Sequence, residues 1–161
     1  MMRRKRGKYF DQVKFAPIPI SFMIKRRVNF SEVDIMGRVW YGRYPLYFEE
    51  ASQELGRRCG LSFQDFYQAN LRAPIAQFHI DYHQPLRLDE EFTVRALSPW
   101  CEGAKLLTEY EIRKIDGSLV ASAYTVQMFI DSRSENVCIA TPKLLEDVRQ
   151  RWRKREFKCL K

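Results

Sequence analysis

A chain of 161 residues, 45% of them hydrophobic and 14% aromatic, is long enough for one domain with a real core and too apolar to be disordered. The net charge of +8 sits at the ends: six basic side chains against one acid in the first fourteen residues, and seven against one in the last thirteen, leave a body of net charge −3. That distribution argues against nucleic acid as the partner, while basic ends suit an anionic membrane surface, an acidic carrier protein or the phosphates of a ligand.

Residues 1–19 read as a basic, irregular lead-in, with Pro17 and Pro19 blocking a helix. Asp11, Gln12 and Lys14 break any apolar run behind Met1 to Lys8, so no secretory leader is expected. No stretch approaches the roughly 20 apolar residues of a membrane span. Cys59, Cys101, Cys138 and Cys159 are scattered, without metal-ligand or disulfide spacing, which points to reduced thiols in a cytoplasmic protein. Ile20, Phe22, Ile24, Val28 and Phe30 predict a first strand. A helix follows a short loop. Pro45 fits its first position, Phe48, Ala51, Leu55 and Cys59 recur at helical spacing, Tyr47 widens that stripe, and Gly60 is placed as a left-handed stop. About sixteen residues make a rod of roughly 24 Å, long enough to cross a small sheet.

Ser62 with Asp65 resembles a capping box and predicts a short helix from Phe63 to Ala69, with Asn70 to Pro74 as a connection. Four strands are predicted next. Ala76, Phe78, Ile80 and Tyr82 alternate with Gln77, His79, Asp81 and His83. Phe92, Val94 and Ala96 mark the second, and Leu106, Thr108, Tyr110 and Ile112 the third. Asp116-Gly117 signals a hairpin turn, and Leu119 to Ile130, apolar on both faces, reads as a buried central strand. Thr141-Pro142 is expected to cap and open a helix from Lys143 to Lys154, within a basic terminal segment 141–161. One strand, a long helix and an antiparallel run of four strands give the α+β class, a sheet wrapped around a helix.

The loop before the long helix reads as a site. Val33, Ile35 and Met36 put Asp34 in apolar company, and Gly37 and Gly42 let the backbone turn or approach a ligand. The loop ends at a helix N-terminus, whose free N–H groups suit a developing negative charge. An acid beside polarising amides suits attack on a carbonyl. The same acid could simply cap its loop or pair with an arginine.

The run Glu32-Val33-Asp34 through Gly37, Tyr41, Tyr44 and Phe48-Glu49-Glu50-Ala51 resembles the signature of the 4-hydroxybenzoyl-CoA thioesterase-like group of hotdog-fold acyl-CoA thioesterases. The resemblance continues in Asp81 to Asp89 and from Tyr110-Glu111-Ile112-Arg113 through Asp116-Gly117 to Asp131. It implies a hotdog domain over residues 20–140, a homodimer or homotetramer with sites at the subunit interface, and hydrolysis of an acyl-CoA thioester. Asp34 would act as nucleophile or general base, and the Tyr41 backbone amide would polarise the carbonyl. Gly42, Tyr47, Ile75 and Phe78 are candidates for the acyl pocket, and Arg87, Arg95, Lys105 and Arg113 for the CoA phosphates. No cofactor or metal is implied. His79, Asp81 and His83 share a strand face, but three ligands spread over roughly 13 Å suit a polar face better than one ion. Glu49 and Glu50 read as helix-start charges. Two other readings stand: a thioesterase acting on acyl carrier protein, and a non-catalytic hotdog protein that binds an acyl-CoA or a partner.

Overall fold

The computed structural model describes residues 9–157. Strand β1 (Ile20–Arg27) leads through an irregular loop into helix α1 (Tyr44–Cys59). A short helix, α2 (Phe63–Gln68), and a two-residue strand, β2 (Leu71–Arg72), precede the four long strands: β3 (Ile75–Tyr82), β4 (Glu91–Ser98), β5 (Lys105–Lys114) and β6 (Leu119–Met128). Strand β7 (Ile130–Asp131) and helix α3 (Lys143–Arg153) complete the described chain.

The five long strands form one antiparallel sheet in the order β1-β4-β5-β6-β3. Strand β5 is therefore the centre, and β6, read from its two apolar faces as central, lies one strand from the edge. The small ribbon β2–β7 was not legible, because two-residue strands carry no period; Leu71 sits inside the stretch read as a connection.

Helix α1 crosses one face of the sheet. Its buried stripe is Tyr47, Phe48, Ala51, Leu55 and Cys59, as the spacing requires. Phe48 meets Tyr110 of β5 at 5.0 Å between ring centroids, and Tyr47 meets Phe92 of β4 at 4.9 Å. Gly60 ends the helix at φ +82°, and Tyr44 rather than Pro45 is its first residue. Ser62 and Asp65 form the expected capping box on α2. Pro142, expected as the first residue of α3, instead caps it from extended backbone. Leu145, Val148 and Trp152 of α3 join the core, and its buried Arg149 donates to the Gly103 carbonyl of the β4–β5 connection at 2.8 Å and to the Lys105 carbonyl at the start of β5 at 3.3 Å.

The other sheet face is crossed by the N-terminal segment. The Tyr9 and Phe10 N–H groups both donate to Glu109 Oε1, at 2.8 and 2.9 Å. The Tyr9 hydroxyl reaches Asp81 Oδ2 at 2.7 Å and Ser122 Oγ at 2.6 Å, and Trp152 Nε1 holds the Ile18 carbonyl at 2.7 Å. Burial pushes the Tyr9 phenol up to about 12, and its hydrogen bond holds Asp81 below the ordinary carboxylate range. His79, Asp81 and His83 do share this face. They are tied to Tyr9 and Ser122: His79 Nε2 lies 3.1 Å from Asp81, and His83 Nε2 lies 3.1 Å from Ser122 Oγ.

Candidate active site

The loop between β1 and α1 is a tight hairpin with Asp34 in its first arm. Val33 and Val39 pair across it, the Asp34 N–H donates to the Arg38 carbonyl at 2.8 Å, and Gly37 turns at φ +71°. Asp34 Oδ1 accepts the Met36 N–H at 2.8 Å and the Arg38 N–H at 3.3 Å, an Asx turn. Among the described residues no protein group takes Oδ2, and the side chain is exposed.

The hairpin is pinned to the segment before β4 and, through Glu32, to Arg26 of β1. Val39 N–H donates to the Leu86 carbonyl at 2.9 Å, and Leu88 N–H donates to the Gly37 carbonyl at 3.2 Å. This brings Arg38 opposite Arg87 in an antiparallel bridge, so two exposed guanidinium groups flank the Asp34 loop. Trp40 N–H donates to the Glu32 carbonyl at 3.0 Å. The Glu32 side chain is itself held by the Asn29 N–H at 2.8 Å and by Arg26 at 3.2 Å, and Arg26 also binds Glu50 of α1 at 2.5 Å. Arg26 thus clamps the loop to the helix.

A single 3₁₀ turn, Tyr41–Arg43, connects the loop to α1. Among the described residues neither the Tyr41 nor the Gly42 N–H has an acceptor, as expected where a helix begins. The Tyr41 carbonyl is anchored instead: the Tyr82 hydroxyl of β3 donates to it at 2.9 Å, and the Tyr82 ring packs edge-on against Tyr44 at 5.0 Å. Burial raises the Tyr82 phenol, which keeps it a donor. The Trp40 indole fills the space beside Gly42 and meets Tyr41 in a tilted pair, 5.1 Å between ring centroids. Ile35, Met36, Trp40 and Tyr41 leave an apolar surface exposed beside Asp34.

A model of the family described as the thioesterase-like superfamily matches residues 28–152. The chain belongs to the thioesterase-like superfamily. A protein of Aquifex aeolicus named as an esterase is 34% identical over 73 residues, 45% of this chain and 57% of that protein, so the match spans little more than half its length. A Bacillus subtilis protein named as an acyl-CoA thioesterase is 25% identical over 107 residues, 66% of this chain and 78% of its own. A Staphylococcus aureus protein solved in complex with CoA superposes with a TM-score of 0.75 at 19% identity, over 86% of this chain and 87% of that one. The fold is accordingly the hotdog fold expected from the motifs, with its sheet on α1.

Measured against this superfamily member's sequence-predicted site residues, the structure joins some and separates others. Asp34, Tyr41, Gly42 and Arg87 lie in or against one loop. Ile75 and Phe78 are exposed on β3, the strand that holds the Tyr41 carbonyl. Tyr47, expected in the acyl pocket, is 1% exposed and packs the core, because its flank of the helical stripe faces Phe92. Arg95 and Lys105 alternate with the core residues Val94, Ala96 and Leu106, so they lie on the sheet face away from α1 and the Asp34 loop. Arg113 is engaged by Glu111 at 3.0 Å and by the Gly117 carbonyl at 2.9 Å. Glu50 is taken by Arg26, and Glu49 by Gln53 at 2.9 Å. A recess of about 360 Å³, lined by Arg27, Glu90, Glu91, Lys114, Ile115 and Asp116, contains no residue of the Asp34 loop. The sequence reading missed Trp40, Arg38, Tyr82 and the Arg26–Glu32 pair. Only Trp40 had a local signal, its place directly before Tyr41.

Proposed function

We propose that this chain hydrolyses acyl-CoA thioesters, with Asp34 as nucleophile or as general base for water. The observation that carries the reading is the uncommitted Asp34 Oδ2 in a pinned loop that runs directly into the free Tyr41 and Gly42 amides. With Asp34 as base, the carboxylate takes a proton from water while the water oxygen adds to the thioester carbon. The carbonyl oxygen gains negative charge facing the Tyr41 N–H, at the positive end of α1. Collapse breaks the C–S bond, and the proton goes to the departing thiolate. With Asp34 as nucleophile, its oxygen forms the bond first, CoA leaves, and water cleaves the resulting anhydride. Arg38 and Arg87 beside the loop suit the CoA phosphates. The acyl-CoA thioesterase relative and the fold shared with a CoA-bound protein support the choice of CoA.

The Asx turn favours one competing reading, in which Asp34 only shapes its loop and the protein binds without turnover. Asp34→Asn separates the two. An asparagine carbonyl still accepts from Met36 and Arg38, so the variant should keep the wild-type melting temperature. Thiol release from a panel of short, long and aromatic acyl-CoAs should fall at least about 100-fold. Asp34→Ala should lose turnover and also about 1 kcal/mol of stability. Wild-type turnover in Asp34→Asn would make the residue a turn-former and end the proposal.

A further inference from the structure

Gly42 is flat for a reason outside its own backbone. It lies outside the left-handed region, so any residue type could adopt its conformation. What excludes a side chain is Trp40: a Cβ built on Gly42 would lie 2.8 Å from Cε3 of the indole and closer still to Cζ3 and Cη2. The indole occupies the space a side chain at position 42 would fill. Its six-membered ring lies beside Gly42, whose N–H, with that of Tyr41, is unclaimed among the described residues, and the Tyr41 ring flanks it at 5.1 Å and an interplanar angle of 49°. Trp40 is 49% exposed, so about half of the side chain stays open to solvent beside these amides.

We propose that Trp40 is a specificity-determining residue: its half-exposed indole is the wall against which the acyl group lies when the thioester carbonyl is held by the neighbouring amides. This deepens the thioesterase reading and rests on it. A rigid flat wall one residue from the carbonyl site favours acyl groups that are planar next to the carbonyl. A saturated chain covers the same wall with fewer contacts and loses rotamer freedom in doing so.

The test uses benzoyl-CoA and octanoyl-CoA with wild type, Trp40→Leu and Gly42→Ala. In Trp40→Leu the ratio of kcat/KM for benzoyl-CoA over octanoyl-CoA should fall about two- to tenfold, the size of an aromatic pairing. Gly42→Ala keeps the tryptophan but drives it off its seat, and should shift the ratio the same way. A ratio unchanged in both variants overturns the proposal. Binding is read separately in Asp34→Asn. Trp100 and Trp152 are buried, at 5% and 6% exposure, so quenching of tryptophan fluorescence by benzoyl-CoA reports Trp40 and should vanish in Asp34→Asn with Trp40→Phe. Quenching without wild-type turnover would retain the Trp40 wall and remove the hydrolase. Turnover without quenching would remove the wall and retain the hydrolase.

Discussion

Tyr47 ends in a buried hydroxyl near the Glu32 carboxylate, with no hydrogen bond of good geometry among the described residues. Its ring lies under the Arg26 guanidinium at 4.9 Å, and burial pushes the phenol well above its ordinary range. An unpaired buried hydroxyl costs stability, so Tyr47→Phe should be neutral or stabilising by up to about 1 kcal/mol in urea unfolding. Thioester turnover should stay within about twofold of wild type, because the ring packs the core rather than a pocket. Loss of more than about 1 kcal/mol would reveal a partner for the hydroxyl. Tyr47 also marks where reading residues from spacing ends. Helical periodicity put it on the apolar stripe, but a stripe has two flanks, and only the packed sheet decides which flank is sealed. The Asp34 loop was legible because an acid in apolar company runs ahead of Gly37 and Gly42, while a catalytic role for it came from the family resemblance. Trp40 was not, since its role comes from lying across Gly42.

The elements that hold the site are joined by Arg26, which reaches from β1 to Glu32 in the loop and to Glu50 on α1. Glu32 is 9% exposed, so removing its partner leaves a nearly buried charge. Arg26→Met should cost about 1–3 kcal/mol, less than a fully buried pair because Arg26 retains some solvent. Turnover should fall with it, since Glu32 carries the Trp40 N–H on its backbone carbonyl. Adding Glu32→Gln should restore part of the stability, and a double-mutant cycle measures how much of the loss is the stranded charge. Additive losses would refute the clamp. Helix α1 and the four long strands were legible because each repeats its period several times. The face on which α1 lies was not, so spacing alone could not say that Arg95 and Lys105, offered for the CoA phosphates, lie on the face away from α1. Which face of an alternating strand meets the helix is a property of topology.

At the scale of the whole molecule, one sheet face is covered by α1, and the other is crossed by the segment that Tyr9 and Glu109 fasten down. Packing a second copy on that outer face would have to displace Tyr9 from Asp81 and Ser122. The edge of the sheet is different. Among the described residues strand β3 pairs only with β6, and Ile75, Phe78 and Tyr82 are 58%, 43% and 48% exposed along it. An apolar, uncovered edge strand is a template for pairing. A second copy joined β3 to β3 would continue the sheet and bury these side chains. The same strand supplies the hydroxyl that holds the Tyr41 carbonyl, so assembly and site geometry should be coupled. Ile75→Glu places a charge at that seam, and light scattering should show the mass halved relative to a dimeric wild type. The coupling predicts that turnover per chain falls in the variant and recovers as protein concentration drives the copies together. A variant that is monomeric yet fully active at every concentration would show that one chain completes the site alone. A wild type that is itself monomeric at every concentration would refute the β3 seam.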